Sequence, residues 1–86
     1  MGNWYVYIVQ CIDGTLYTGI TNNIDKRVKL HNSGNGARYT SSRKPVKLVW
    51  HEDCKSKSKA LKREIEIKAL RRDDKLALVK TLASEN

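Results

Sequence analysis

Apolar runs alternate with charged ones along the chain, and the pattern predicts its elements. Trp4 to Ile12 is rich in β-branched and aromatic residues and reads as a strand. Asp13-Gly14 suits a tight turn, and Thr15 to Ile20 reads as the returning strand of an antiparallel hairpin. Strand side chains alternate faces, so Tyr5, Tyr7 and Val9 share one side and Trp4, Val6 and Ile8 the other. Thr21-Asn22-Asn23 offers short polar side chains to the unpaired first amides of a helix, predicted from Ile24 to Asn32 and stopped by Ser33-Gly34. Asn35 to Lys44 reads as a loop or a single helical turn, and Pro45 marks a break. Val46 to His51 is the third predicted strand, with Val46, Leu48 and Trp50 on one face. Lys59 to Arg71 is the second helix and Asp73 to Leu82 the third, in which Leu76, Val79 and Leu82 keep helical spacing. The order β-β-α-β-α-α predicts an α/β (α+β) fold, a small sheet flanked by helices, and its 86 residues fit one domain.

Two predicted helices carry charge where apolar side chains belong. Ile24 and Val28 mark the core-facing stripe of the first, and Arg27 and His31 flank that stripe, four apart on one face. Asp25, Lys26 and Lys29 point to solvent. On the next helix Leu61, Ile65 and Ala69 define one edge of the apolar arc and Ala60 and Ile67 the other, with Glu64 and Lys68 between them. A carboxylate on a packing face costs several kcal/mol unless it gains a cation or a metal. Glu64 therefore serves either a structural ion pair with Lys68, at the favourable i,i+4 spacing, or a metal. Tyr7 and Tyr17 carry a similar ambiguity: cross-strand packing, or chemistry.

Charge narrows the class of partner. Lys and Arg total 17 against 9 Asp and Glu, a formal +8, which favours polyanions through phosphate contacts and counterion release. No apolar stretch approaches the roughly 18 residues needed to span a bilayer, and no signal-peptide pattern opens the chain, so a soluble cytoplasmic protein is expected. Cys11 and Cys54 are expected as reduced, buried thiols. His51-x-x-Cys54 forms one close pair of soft ligands, but Cys11 and His31, twenty residues apart, make a poor second pair for structural zinc.

Tyr5-Val6-Tyr7, nine intervening residues and Tyr17-Thr18-Gly19 resemble the two-part signature of the GIY-YIG nuclease superfamily. Arg27, ten residues after Tyr17, matches that family's arginine. His31 matches a position held by Tyr or His, and Glu64 in Lys62-Arg63-Glu64 matches its metal-binding glutamate. The stretches 17–21, 33–37 and 60–64 are similar to the small stand-alone bacterial branch, the YhbQ-like or UPF0213 proteins. Departures are a first motif of Tyr-Val-Tyr instead of Gly-Ile-Tyr, and Ile20 where the repair enzymes carry lysine.

The resemblance implies an α/β sandwich around a three-stranded antiparallel sheet. It also implies divalent-metal hydrolysis of DNA, as in the incision subunit of excision repair and in homing endonucleases. Under it Glu64 would hold one Mg²⁺ or Mn²⁺, hard cations that prefer oxygen. Arg27 would clamp phosphate oxygens through its planar fork. Tyr7, Tyr17 or His31 would position or deprotonate the attacking water, which for a phenol needs a cationic neighbour. Gly19 would let backbone approach phosphate, and Arg38, Arg43, Lys44, Lys47 and Lys68 are candidate nucleic-acid contacts or plain solvated charges. The expected partner is nucleic acid, DNA before RNA, met as a monomer or weak dimer, in DNA repair or recombination. The rival is a catalytically weak or inactive nucleic-acid-binding module; a protein-interaction domain that meets an acidic protein is a third reading.

Overall fold

The computed structural model describes residues 3–83, with side chains to residue 81, so the burial of Leu82 lies outside the described residues. Three strands form one antiparallel sheet: β1 (Trp4–Gln10), β2 (Leu16–Thr21) and β3 (Lys47–Cys54), in spatial order β2-β1-β3. The predicted turn joins β1 to β2. The Gly14 N–H donates to the Cys11 carbonyl at 2.9 Å, and the Asp13 carboxylate accepts from the Thr15 amide at 3.1 Å.

The helices are α1 (Ile24–Asn32), α2 (Arg38–Ser41, the single turn), α3 (Lys57–Lys68) and α4 (Arg72–Ala83). The bounds of α1 coincide with the prediction because its cap is local: Asn23 Oδ1 accepts from the Lys26 amide at 3.1 Å. α3 starts two residues earlier than expected. Ser56 caps it, its Oγ accepting from the Lys59 amide at 3.2 Å. β3 runs on to Cys54 because it pairs with β1 as far as Trp4.

β1 is central and buried on both faces, which is why its sequence is an almost unbroken apolar run. On one face Val6 and Ile8 pack with Trp50, Cys54, Ala60 and Ile67, with Leu78 and Val79 of α4 against them. On the other, Tyr7 and Val9 pack with Cys11 and Val46, backed by Tyr17, Val28 and Leu48. The expected face of Val46, Leu48 and Trp50 is split between these clusters. Ile8 pairs with Trp50 but Val9 with Leu48, so β3 carries one extra residue there, and the bulge resets which side each neighbour takes.

The seating of α3 also differs from the expected arc. Ala60 and Ile67 are fully buried, whereas Leu61, Ala69 and especially Ile65, 67% exposed, face outward. A single helix buries one stripe, and the small Ala60 lets α3 approach the sheet along the line 60-64-67. That line carries Glu64 inward. Among the described residues no helix is long and apolar enough to cross a membrane.

Candidate active site

The cross-strand register starts the site. Tyr7 lies opposite Gly19 and Tyr17 opposite Val9, so the two phenols share a face diagonally and do not face each other directly. The Tyr7 ring leans over Gly19: a β-carbon there would stand 2.6 Å from Tyr7 Oη and 2.8 Å from Cζ. The space expected for a phosphate above Gly19 is therefore filled by Tyr7, and only glycine leaves room for it. Tyr7 is 1% exposed; Tyr17 is half-buried, and its hydroxyl has no hydrogen bond among the described residues. One phenol is the floor of the site and the other its rim.

His31 does not flank the stripe of α1 but is wholly buried beneath it. Its Nε2 lies 2.7 Å from Tyr7 Oη and its Nδ1 2.7 Å from Thr40 Oγ1 on α2. The Arg27 Nε–H donates to Tyr7 Oη at a long 3.4 Å, and its terminal nitrogens make no hydrogen bond among the described residues. A chain Arg27–Tyr7–His31–Thr40 thus joins α1, β1 and α2. Burial pushes the Tyr7 phenol above its ordinary value. The Arg27 hydrogen bond and charge pull it down but lose, and Tyr17 and Glu64 add to the rise. Burial, aided by the Arg27 charge, pushes His31 below its ordinary value and keeps it neutral near pH 7.

Glu64 enters from α3, which packs on β1 and β2, and its carboxylate is near enough to raise the Tyr7 phenol. Its side chain is 17% exposed and has one ion pair, with the half-exposed Lys68 at 3.4 Å. A carboxylate has about four acceptor positions, so one long contact leaves most of its capacity unspent at low exposure. Lys68 Nζ also stands 5.9 Å above the Tyr17 ring. Among the described residues no three His, Cys, Asp or Glu side chains converge. The site suits a hard divalent ion held by one carboxylate and water, a habit of Mg²⁺. The zinc ligands considered from sequence are scattered. Cys11 and Cys54 lie in opposite core clusters, His31 is enclosed, and His51 edges against Tyr5.

A family model described as the GIY-YIG catalytic domain matches residues 3–77. The chain belongs to the GIY-YIG family. A UPF0213 protein of Desulfotalea psychrophila is 60% identical over 78 residues, covering 90% of this chain and 71% of that one. A UPF0213 protein of Staphylococcus saprophyticus is 53% identical, covering 92% and 96%. Among solved structures, the UPF0213 protein BH0048 of Bacillus halodurans superposes with TM-score 0.60 at 47% identity, covering 92% of this chain and 84% of that one. The protein EF2693 of E. faecalis superposes with TM-score 0.63 at 36% identity, covering 100% and 95%.

In this GIY-YIG domain the sequence-matched residues Tyr7, Tyr17, Arg27, His31 and Glu64 gather on β1, β2, α1 and α3, with Lys68 beside them. The other basic candidates divide. Arg38 and Lys44 are exposed on and beyond α2. Arg43 is committed elsewhere: its guanidinium lies 4.1 Å from the centre of the Tyr39 ring and pairs with Asp13 at 3.2 Å. Lys47 opens β3 opposite Gln10.

Three residues of the site were missed. Thr40 holds His31, Tyr39 stacks on Tyr17 with ring centres 5.9 Å apart, and Gly36 backs onto His31. In sequence the Ser33–Ala37 stretch shows a helix stop, the start of a loop and a family likeness; no periodicity marks a glycine needed for closeness to a distant ring. A β-carbon at Gly36 would stand 2.4 Å from His31 Nδ1 and 2.8 Å from its Cα, and backbone cannot yield as a flexible side chain does. Gly36→Ala is expected to destabilise the fold by about 1–3 kcal/mol through overpacking, read as a lower urea midpoint.

His31 also predicts a pH dependence. Its folded pKa is lowered, so the unfolded chain binds the proton more readily. That stability is complete above the ordinary value of 6.5 and is lost as pH falls from there through the lowered folded value. Urea midpoints are expected to drop between about pH 7 and about pH 5; an unchanged midpoint would mean the ring is charged when folded.

Proposed function

We propose that this chain is a metal-dependent endonuclease that hydrolyses nucleic-acid phosphodiester bonds, of DNA in preference to RNA, in repair or recombination. The carrying observation is Glu64: a carboxylate on the buried line of α3, with one long ion pair, beside the Arg27–Tyr7–His31 chain. Family membership supports nuclease chemistry, and the +8 charge supports a polyanionic substrate.

The residues divide the work as follows. Arg27 binds the non-bridging phosphate oxygens with its terminal nitrogens. Glu64 would hold one Mg²⁺ or Mn²⁺, which when bound supplies charge neutralisation at phosphate and leaving oxygen. Tyr17, at the rim, orients the attacking water. Tyr7 is a poor base alone, since burial disfavours its phenolate. It can nevertheless accept the water's proton if its own passes to His31 Nε2 in the same step, leaving Tyr7 neutral and His31 cationic. The water oxygen bonds to phosphorus, the leaving oxygen departs and takes a proton from solvent, and His31 gives its proton back through Tyr7 to solvent, which restores both groups.

The direction of the chain fits this relay. With the Thr40 hydroxyl proton on the Ala37 carbonyl, 2.9 Å away, Oγ1 would accept from His31 Nδ1–H, and Nε2 would be left to accept from Tyr7. A binding module without chemistry is the second reading, favoured by the near-complete burial of Tyr7. The test is cleavage of labelled single-stranded, duplex and branched DNA and RNA, with Mg²⁺, Mn²⁺ or chelator. Metal-dependent cutting of DNA is the expected result; salt-sensitive binding without cutting on every substrate would favour the module.

A further inference from the structure

We propose that Thr40 is a positioning residue that holds the His31 ring in the one tautomer able to take a proton from Tyr7. This rests on the relay just described and adds the residue that aims it. Thr40 is fully buried on the single turn α2. A threonine hydroxyl has one proton, and the Ala37 carbonyl, three residues back and 2.9 Å away, is placed to take it. With its proton so placed, Oγ1 accepts from His31 Nδ1, 2.7 Å away. A neutral imidazole carries one N–H, so placing it on Nδ1 leaves the lone pair on Nε2, aimed at Tyr7 Oη.

A competing arrangement is built into the same turn. The Ala37 amide points at His31 Nδ1 from 3.4 Å, a distance that makes it the weaker partner while Thr40 is present. Without the Thr40 hydroxyl, that amide becomes the sole partner of Nδ1. It is a donor, so it favours a bare Nδ1 and moves the ring proton to Nε2. An Nε2–H facing Tyr7 can donate but cannot accept, and the step in which the Tyr7 O–H bond breaks and an Nε2–H bond forms is closed. A hydroxyl that merely capped the turn would affect stability and leave the ring proton where it was.

Thr40→Val keeps the shape and removes the acceptor, and Thr40→Ser restores it. Nitrogen-15 chemical shifts of the imidazole, measured on the labelled full chain at neutral pH, report which nitrogen carries the proton. The wild type is expected to show a protonated Nδ1 and bare Nε2, Thr40→Val the reverse, and Thr40→Ser the wild-type pattern. In single-turnover cleavage of labelled DNA with Mg²⁺, Thr40→Val is expected to lose about 10²-fold in rate with unchanged DNA affinity, and Thr40→Ser to recover it. A bare Nδ1 in the wild type, or an Nδ1 still protonated in a folded Thr40→Val, would overturn the proposal, as would cleavage by Thr40→Val at the wild-type rate. If the valine variant does not fold, the wild-type and serine spectra decide alone. If the wild type cuts nothing, the nuclease reading fails while the nitrogen shifts still judge Thr40.

Discussion

Glu64→Gln is expected to abolish metal-dependent cleavage and leave the chain folded. The two side chains have nearly the same shape, so packing along the line of Ala60 and Ile67 survives. What is lost is the anionic oxygen donor. A metal's charge stabilisation is worth several kcal/mol, and each ~1.4 kcal/mol is a tenfold change in rate, so the loss is about 10³-fold or more. The broken pair with Lys68 matters little, because that lysine is half-exposed and rehydrates. Melting temperature should hold or rise, since a largely buried carboxylate with one long contact is an unfavourable charge to bury. Arg27→Ala is expected to lose activity for a different reason: it removes both the phosphate clamp and the donor to Tyr7. Cleavage rates against metal concentration and circular-dichroism melts check both variants. Wild-type rates from purified Glu64→Gln would remove that residue from the mechanism.

The second large effect concerns Tyr7 and His31. Tyr7→Phe and His31→Gln are each expected to slow cleavage by about 10²–10⁴-fold, the usual worth of a positioned acid–base group. Because the proton passes through both, the double variant should lose no more than the worse single one. Losses that multiply would show two independent roles and end the relay. Tyr7→Phe also leaves the buried His31 Nε2 without its 2.7 Å partner, which should cost about 1–3 kcal/mol of stability. The activity loss must therefore be measured well below the melting transition.

Local rules carried much of the fold. The bounds of α1 were legible because Asn23 and the Ser33-Gly34 stop act within a few residues of chain. The hairpin followed from Asp13-Gly14 between two β-rich runs, and the likeness of Tyr7, Tyr17, Arg27, His31 and Glu64 to a known motif named the residues that later met. The β3 bulge was not legible, because the extra residue is defined only against the partner strand. The packing-face position of Glu64 was legible from its place on the apolar arc, but the rest of the seating of α3 was not: Leu61 and Ile65 looked like a packing edge by hydrophobicity, yet the closeness allowed by Ala60 turned them outward and left Lys68 half-exposed.

The amino-acid order alone determined the elements, their sequence, the basic character and the candidate site residues, since propensity, capping, charge and motif are properties of short stretches. Only the tertiary structure decided that Tyr7 is floor and Tyr17 rim, that Gly19 and Gly36 yield their space to Tyr7 and His31, and that Thr40 faces His31. Burial, close approach and hydrogen-bond direction arise between residues distant in the chain. They exist only once β1 is covered on both faces.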